Sequence, residues 1–256
     1  MIGHLHYALL LAAATAATPL IPQQETDIKD VLNTNKAILN LEDGLNHDGL
    51  NISAWESQLK AAGFLLEPPE IDVEFLNYTI SAEDAEHLAL AKRQSCNSRA
   101  LVTEKTQSFV DWDVQMSPVV CAVGPMTISV TDGYSVANSI SVSADLDFTW
   151  IADKLKTTFG VNFQRTWTTS ASILVGGTVP DGNCGCMIWK PLTTRRYGSV
   201  YQGCVGALKK TGTFMADDRG TGSYNGVQWI AGARSLCYKK GSNPPLSRCQ
   251  GSGSFV

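Results

Sequence analysis

Lys92-Arg93-Gln94-Ser95-Cys96 is the stretch on which the reading of this 256-residue chain turns. The seven cysteines begin with Cys96, and the four histidines all precede it. The N-glycosylation sequons at Asn51 and Asn77 precede it too. Charge changes sign at the same place. Residues 1–93 carry 14 Asp/Glu against 5 Lys/Arg, a net of −9, and residues 94–256 carry 10 against 15, a net of +5. A dibasic pair at such a break reads as a processing site, Lys92, Arg93 and Gln94, between a pro-segment and a mature module.

Three regions follow. Residues 1–17 read as a signal peptide, with an apolar stretch from Tyr7 through the alanine-rich run to Ala17 that is too short to span a membrane. Residues 18–93 read as a small, acidic, helical pro-segment: Ile28, Val31, Leu32, Leu39 and Leu45 recur at near-helical spacing. Ser53–Glu56 and Ser81–Asp84 look like capping boxes, and Pro68-Pro69 separates the helices that they open. This acidic segment can shield a basic module electrostatically or serve as a solubilising spacer.

Residues 94–256 change to β texture, with 18 of the 22 glycines and apolar residues in alternation. The expected fold class is an all-β module, a sandwich or related antiparallel sheets with one short helix. First strands are expected around Gln107–Val114 and Pro118–Val123. Met126, Ile128 and Val130 alternate ahead of Asp132-Gly133. A three-residue turn with a left-handed Gly133 would set Ile128 opposite Val136. Phe148, Ile151, Leu155 and Phe159 switch to helical spacing. Cys184–Lys190 and Ser199–Val205 suit a hairpin turning across Pro191–Gly198, and Asn225-Gly226 suits another turn. Asn243-Pro244-Pro245 begins a closing loop.

Cys96, Cys121, Cys184, Cys186, Cys204, Cys237 and Cys249 imply a disulfide framework in an oxidising compartment, with one thiol left over. Cys184 and Cys186 share a strand face, so either reaches Cys204 across the expected hairpin and the other is the odd one. Cys237 with Cys249 would close a local loop, and Cys96 with Cys121 would anchor the new N-terminus. The pairing itself is not fixed by sequence.

The layout resembles secreted precursors of filamentous fungi and yeasts, among them effector and killer-toxin types. In such precursors a kexin-type protease cuts after Lys-Arg, and Leu90 suits the position four residues back from the cut. The resemblance implies an extracellular, processed protein whose new N-terminus, Gln94, cyclises to pyroglutamate. A second, pattern-level resemblance covers Tyr134–Val175. Two Ser/Thr-rich alternating stretches there, Val136–Leu146 and Val161–Val175, flank a short amphipathic segment, as in the insertion region of aerolysin-type β-pore-forming proteins. It implies a membrane-facing surface carrying Val136, Ile140, Val142, Phe163 and Trp167. The same alternation is what a sheet needs to bury one face, and Arg165 interrupts the apolar side, so core packing is the preferred role.

Function is bounded mainly by exclusion. With no histidine beyond residue 93, Ser-His-Asp, Cys-His and histidine-dependent ribonuclease chemistry are closed to a cleaved module. No nucleotide, dinucleotide or nucleophile-elbow motif is present, and no cofactor or metal site is expected. Asp111 with Asp113, and Asp145 with Asp147, could in principle serve glycoside hydrolysis or bind calcium. Strand-end carboxylates are their ordinary role, as a solvated turn is for Asp217–Gly220. Arg195-Arg196, expected in a turn, could meet an anionic membrane or glycan. No basic stripe interleaved with aromatics suggests nucleic acid as a partner, and nothing fixes an oligomeric state. An effector- or toxin-like interaction module is the leading reading. A wall-active hydrolase, or a structural wall or matrix protein, is the alternative.

Overall fold

The computed structural model describes residues 38–40, 52–143, 146–169, 176–224, 227–241 and 244–256. The expectations for residues 1–17, for the helical pattern around Ile28, Val31, Leu32 and Leu45, for Asn51 and Asp145, for the end of the Val161–Val175 stretch from residue 170 on, and for Asn225-Gly226 and Asn243 lie outside the described residues. Upstream of the junction are β1 (Ile38–Asn40), α1 (Ile52–Ala61), α2 (Val73–Leu76) and α3 (Ala82–Arg93). Downstream, β2 (Ser98–Val110), β3 (Val114–Gln115), β4 (Val120–Cys121), β5 (Met126–Ile128), β6 (Ser135–Ala137) and β7 (Ser139–Val142) precede α4 (Phe148–Phe159). Then come β8 (Thr166–Thr168), β9 (Gly177–Val179), β10 (Asn183–Cys204), β11 (Ala207–Arg219), β12 (Thr221–Tyr224) and β13 (Val227–Ile230). β14 (Gly232–Lys240), β15 (Leu246–Ser247) and β16 (Ser254–Phe255) close the chain. The protein is mostly antiparallel β with a few short helices.

The 22-residue strand β10 organises the sheet. On one edge β2, β3 and β4 follow one another along it, from Gly203↔Ser98 to Cys184↔Cys121. On the other edge β11 pairs from Cys204↔Ala207 to Thr193↔Arg219, and β14 continues from Pro191↔Gly232 to Asn183↔Lys240. The expected hairpin across Pro191–Gly198 is therefore corrected: the chain runs straight through, and the turn is Val205-Gly206, beyond Cys204. Pro and Gly, ordinarily turn signals, have other causes here. Pro191 stands where the neighbour changes from β14 to β11, so its missing N–H costs little in the ladder, while its carbonyl accepts from the Asp111 N–H at 2.8 Å. Gly198 sits where a Cβ would lie 2.3 Å from the Val102 carbonyl oxygen and 2.5 Å from the Phe214 ring.

Other local readings change with it. Ile38–Asn40 is a strand parallel to β14 rather than helix. α1 starts at Ile52, so Ser53 lies inside it, whereas Ser81 does cap α3, accepting from the Asp84 N–H at 3.1 Å. The helix read between Phe148 and Phe159 has those bounds, with Ile151 and Leu155 fully buried and Gly160 closing it in the left-handed region. The hairpin at Gly133 does not form. Ile128 pairs with Gly177, and Val136 pairs with Trp167. The Thr169 hydroxyl explains this: it accepts from the Tyr134 N–H at 2.9 Å and donates to the Thr131 carbonyl at 2.6 Å, tying both arms to the β8 segment.

The upstream segment is part of the core. Trp55, Leu59 and Phe64 are 2%, 1% and 4% exposed and pack with Val110, Leu192 and Ala233. Each such burial contributes about 1.5–3 kcal/mol. Leu65 then pairs with the outer edge of β2: its N–H donates to the Ser108 carbonyl, and its carbonyl accepts from the Val110 N–H, both at 2.9 Å. Beyond it, residues 69–78 lie against Arg195, Tyr197 and Thr213. Leu192 and Arg195 are three apart on one strand and so point to opposite faces. The upstream chain thus clasps the β2 edge and covers sheet on both sides.

Gly198→Ala should lower stability by about 3 kcal/mol through overpacking against backbone and a buried ring. Gly241→Ala, with open space around the Cβ position, should change it by under about 0.5 kcal/mol. Urea unfolding midpoints compare the two, and equal midpoints would contradict the continuous strand.

Candidate functional site

The junction is a finished helix end. Ser95 takes φ 59°, its N–H donates to the Lys92 carbonyl at 3.1 Å, and the Cys96 N–H reaches back to the Ala91 carbonyl at 2.9 Å. This is the Schellman closure, built with serine where glycine is usual. Lys92, Arg93, Gln94 and Ser95 are all exposed. Three residues past Arg93, Cys96 is bonded to Cys204 at the far end of β10. A cut after Arg93 would therefore leave the new N-terminus covalently pinned to the sheet.

A cavity of about 620 Å³ opens beside the junction, and it is the candidate site. Its apolar wall includes Leu88 of α3, Leu146, Trp150 and Ile151 at the start of α4, and Val200 of β10. Lys92, Arg99, Asp147 and Gln202 supply polar groups. Asp147 is the N-cap of α4, accepting from the Trp150 N–H at 3.1 Å, and it also holds Arg99 at 3.1 Å. Arg99 in turn lies 5.5 Å over the Trp150 ring. The Trp150 N–H first, then Arg99, hold the Asp147 carboxyl below its ordinary range. The hydrogen bond from Lys209 at 2.9 Å does the same for Asp84 on α3. Both carboxyls are depressed, so the stabilisation they give is complete above the ordinary carboxylate range. It is lost as pH falls through the lowered values. The arrangement suits an amphipathic or anionic ligand: an indole and aliphatic wall beside two cations, one of them fixed by a helix cap.

The carboxylates read as a hydrolytic pair are engaged separately. Asp111 accepts from Arg219 at 2.7 Å and from the Thr193 hydroxyl at 3.2 Å. Asp113, fully buried, accepts from the Cys249 and Gln250 N–H groups, each at 3.0 Å. Of Asp111, Asp113 and Asp147, Asp147 alone lines the cavity.

Arg195 and Arg196 are not in a turn. They are adjacent residues in the middle of β10, 5% and 7% exposed, pointing to opposite faces. Arg195 makes a two-pronged pair with Asp217 at 2.7 and 2.8 Å. Arg196 pairs with Asp218 at 3.6 Å and lies 4.4 Å over Phe159. Asp217 and Asp218 are correspondingly sheet residues rather than a solvated turn. Neither arginine is presented to an anionic surface.

The described part of the amphipathic region is also core. Val136–Leu146 is split at Asn138, whose amide donates to the Asn162 carbonyl and accepts from the Arg219 N–H, so β6 turns to β8 and β7 to β11. Trp167 packs with Ile128, Val179 and Trp189, and Val136 lies against them. Phe163, Ile140 and Val142 pack instead with Ile151, Leu155 and Phe214. Arg165 stacks over Trp167 at 4.8 Å and reaches the Thr221 hydroxyl at 2.9 Å, which accounts for a charge on that side. Asn77 is exposed at the end of α2.

The disulfides correct two pairings. Cys96 joins Cys204 and Cys121 joins Cys184, while Cys237 joins Cys249. With β10 continuous, Cys184 and Cys204 stand at its opposite ends and cannot meet. Cys186 is the free thiol, fully buried and directly across the ladder from Cys237. Arg99 and Trp150 were not singled out from sequence. The Asp147 cap ahead of the Phe148 periodicity was the available signal for Asp147 alone. Comparison with protein-family profiles, curated proteins and solved structures finds no match to this chain.

Burial, with the Asp113 charge adding to it, pushes the Cys186 thiol up to about 12. A thiol attacks as its thiolate, so the native protein at pH 8 should react with no thiol reagent, and the unfolded, unreduced protein should react once. A native protein that alkylates at once, or more than one reactive thiol after unfolding, would contradict this packing.

Proposed function

We propose that this chain is a secreted precursor, cut after Arg93 by a kexin-type protease, whose product is an effector- or toxin-like interaction module acting at another cell's surface. Three disulfides fit an extracellular β protein, and among the described residues no helix is long and apolar enough to cross a membrane. The observation that carries the reading is the junction itself. An exposed Lys-Arg pair ends a helix, and a disulfide anchors the chain immediately afterwards. Helix ends fray, and unwinding this last turn would present Leu90–Gln94 in the extended form that proteases bind.

Binding is favoured over hydrolysis because Asp111 and Asp113 hold structure together at separate places. The contact surface proposed is the junction cavity, where Lys92 and Arg99 suit the anionic group of a lipid head or an acidic glycan, and Trp150 suits its apolar or sugar-ring body.

The secreted protein should contain a chain beginning with pyroglutamate from Gln94, read by terminal-peptide mass spectrometry. It should also bind vesicles containing anionic lipid, or acidic glycans, several-fold more weakly once Arg99 is replaced by Ala. A stable secreted species whose chain runs unbroken through Arg93–Gln94 would overturn the processing reading. Unchanged binding by Arg99→Ala would overturn the assignment of the cavity.

A further inference from the structure

We propose that the segment upstream of the junction stays docked on the β module after cleavage, so that the processed protein is a non-covalent two-chain assembly. The proposal rests on the processing reading, in which hydrolysis of one peptide bond turns the Arg93 carbonyl into a carboxylate and frees the Gln94 amine. No cysteine lies upstream of Cys96, so no disulfide can hold the pieces together. The contacts that hold them are therefore non-covalent, and among the described residues they include three places.

The first is the core. Trp55, Leu59 and Phe64 fill one side of a buried cluster whose other side is Val110, Leu192 and Ala233. The second is the sheet edge, where Leu65 pairs with β2 and β1 pairs in parallel with β14. The third is the opposite face. There the Arg195 guanidinium donates to the Pro69 carbonyl at 3.1 Å, the Thr213 hydroxyl to the Phe75 carbonyl at 2.8 Å, and the Asp72 N–H to the Tyr197 hydroxyl at 3.1 Å. Phe75 meets Tyr197 edge to face at 5.6 Å, and Lys210 lies over both Phe75 and Tyr78. Charge is matched as well, with Asp84 of the acidic segment paired to Lys209 of the basic module.

Cutting at Arg93–Gln94 removes none of these contacts, because they all lie upstream of the last turn of α3. Removing the segment would uncover Leu192 on one face and, on the other, Tyr197, now 0% and 2% exposed, with one flank of the buried Arg195–Asp217 pair. Apolar side chains buried on both faces, with a buried charge pair on one of them, are what a permanent partner covers. The occupant is the segment already there. One chemical consequence follows: His87, exposed on α3, remains in the assembly, so cleavage alone does not strip the product of histidine.

The test inserts the recognition sequence of a site-specific protease between Arg93 and Gln94 of the full chain, so it does not depend on the native protease. After complete cleavage, verified on a denaturing gel, size exclusion with light scattering should give one species with the mass of both pieces and an unchanged near-ultraviolet circular dichroism spectrum. Separation of the pieces under native conditions, whether or not residues 94–256 stay soluble, overturns the proposal. In Trp55→Ala/Phe64→Ala, the uncut chain should stay folded and the cut chain should release its segment. Should that variant fail to fold uncut, Phe75→Ala replaces it and should speed release about tenfold through loss of the Tyr197 ring contact; an unchanged release rate overturns the proposal. Whether the cell makes the cut is read separately, from the terminal peptides of the secreted protein.

Discussion

One strand of 22 residues must find partners for its main-chain groups along both edges, and the rest of the architecture answers that requirement. No single neighbour is long enough. β2, β3 and β4 share one edge in relay, and β11 and β14 share the other. The relay explains where irregularities fall. Pro191 stands at the change of neighbour, and the ladders shift register at Tyr197/Gly198 and Val200/Tyr201. Cys184 and Cys204 then fix the two ends of the strand to β4 and to the junction. Cross-links closing loops of this size remove much of the unfolded chain's freedom, each contributing about 2–5 kcal/mol.

The centre of this strand is polar where an ordinary core would be aliphatic. Arg195 and Asp217 are register partners, nearly buried, and joined by two short hydrogen bonds. Burying such a pair brings little net stability, but separating it leaves uncompensated charge in a dry environment. A one-residue slip between β10 and β11 would send Asp217 to the face opposite Arg195. The pair therefore sets register in a hairpin that is otherwise rich in Thr, Gly and Lys. It also gives the upstream segment a point of attachment, through the Pro69 carbonyl.

Local features were the most legible. The bounds of α4 followed from Phe148, Ile151, Leu155 and Phe159, the cap of α3 from Ser81, and the local Cys237–Cys249 loop from its short separation. What sequence misread depends on long-range contact. Pro191 and Gly198 carry turn chemistry, yet one sits at a change of neighbour and the other under a phenylalanine ring. Arg195-Arg196 and Asp217-Asp218 look solvated as separate dipeptides, yet Arg195, Arg196 and Asp217 are buried and Asp218 half-buried where β11 sets them beside each other. Trp55 and Leu59 have the spacing of a small amphipathic helix and Phe64 follows just beyond it, with nothing local to show that their partners are Val110, Leu192 and Ala233. For the candidate site, the Lys92–Gln94 junction was readable and its cavity was not. Leu88, Arg99, Trp150 and Val200 are scattered through the sequence and meet only when α3 and α4 pack beside the end of β10.

Disulfide mapping tests the central strand most directly. Digestion of the unreduced protein at acidic pH, where exchange is suppressed, followed by mass spectrometry of the linked peptides, should recover Cys96 with Cys204, Cys121 with Cys184, and Cys237 with Cys249. Recovery of Cys184 linked to Cys204 would require the chain to turn back between Pro191 and Gly198, and would contradict the continuous strand on which this fold is built.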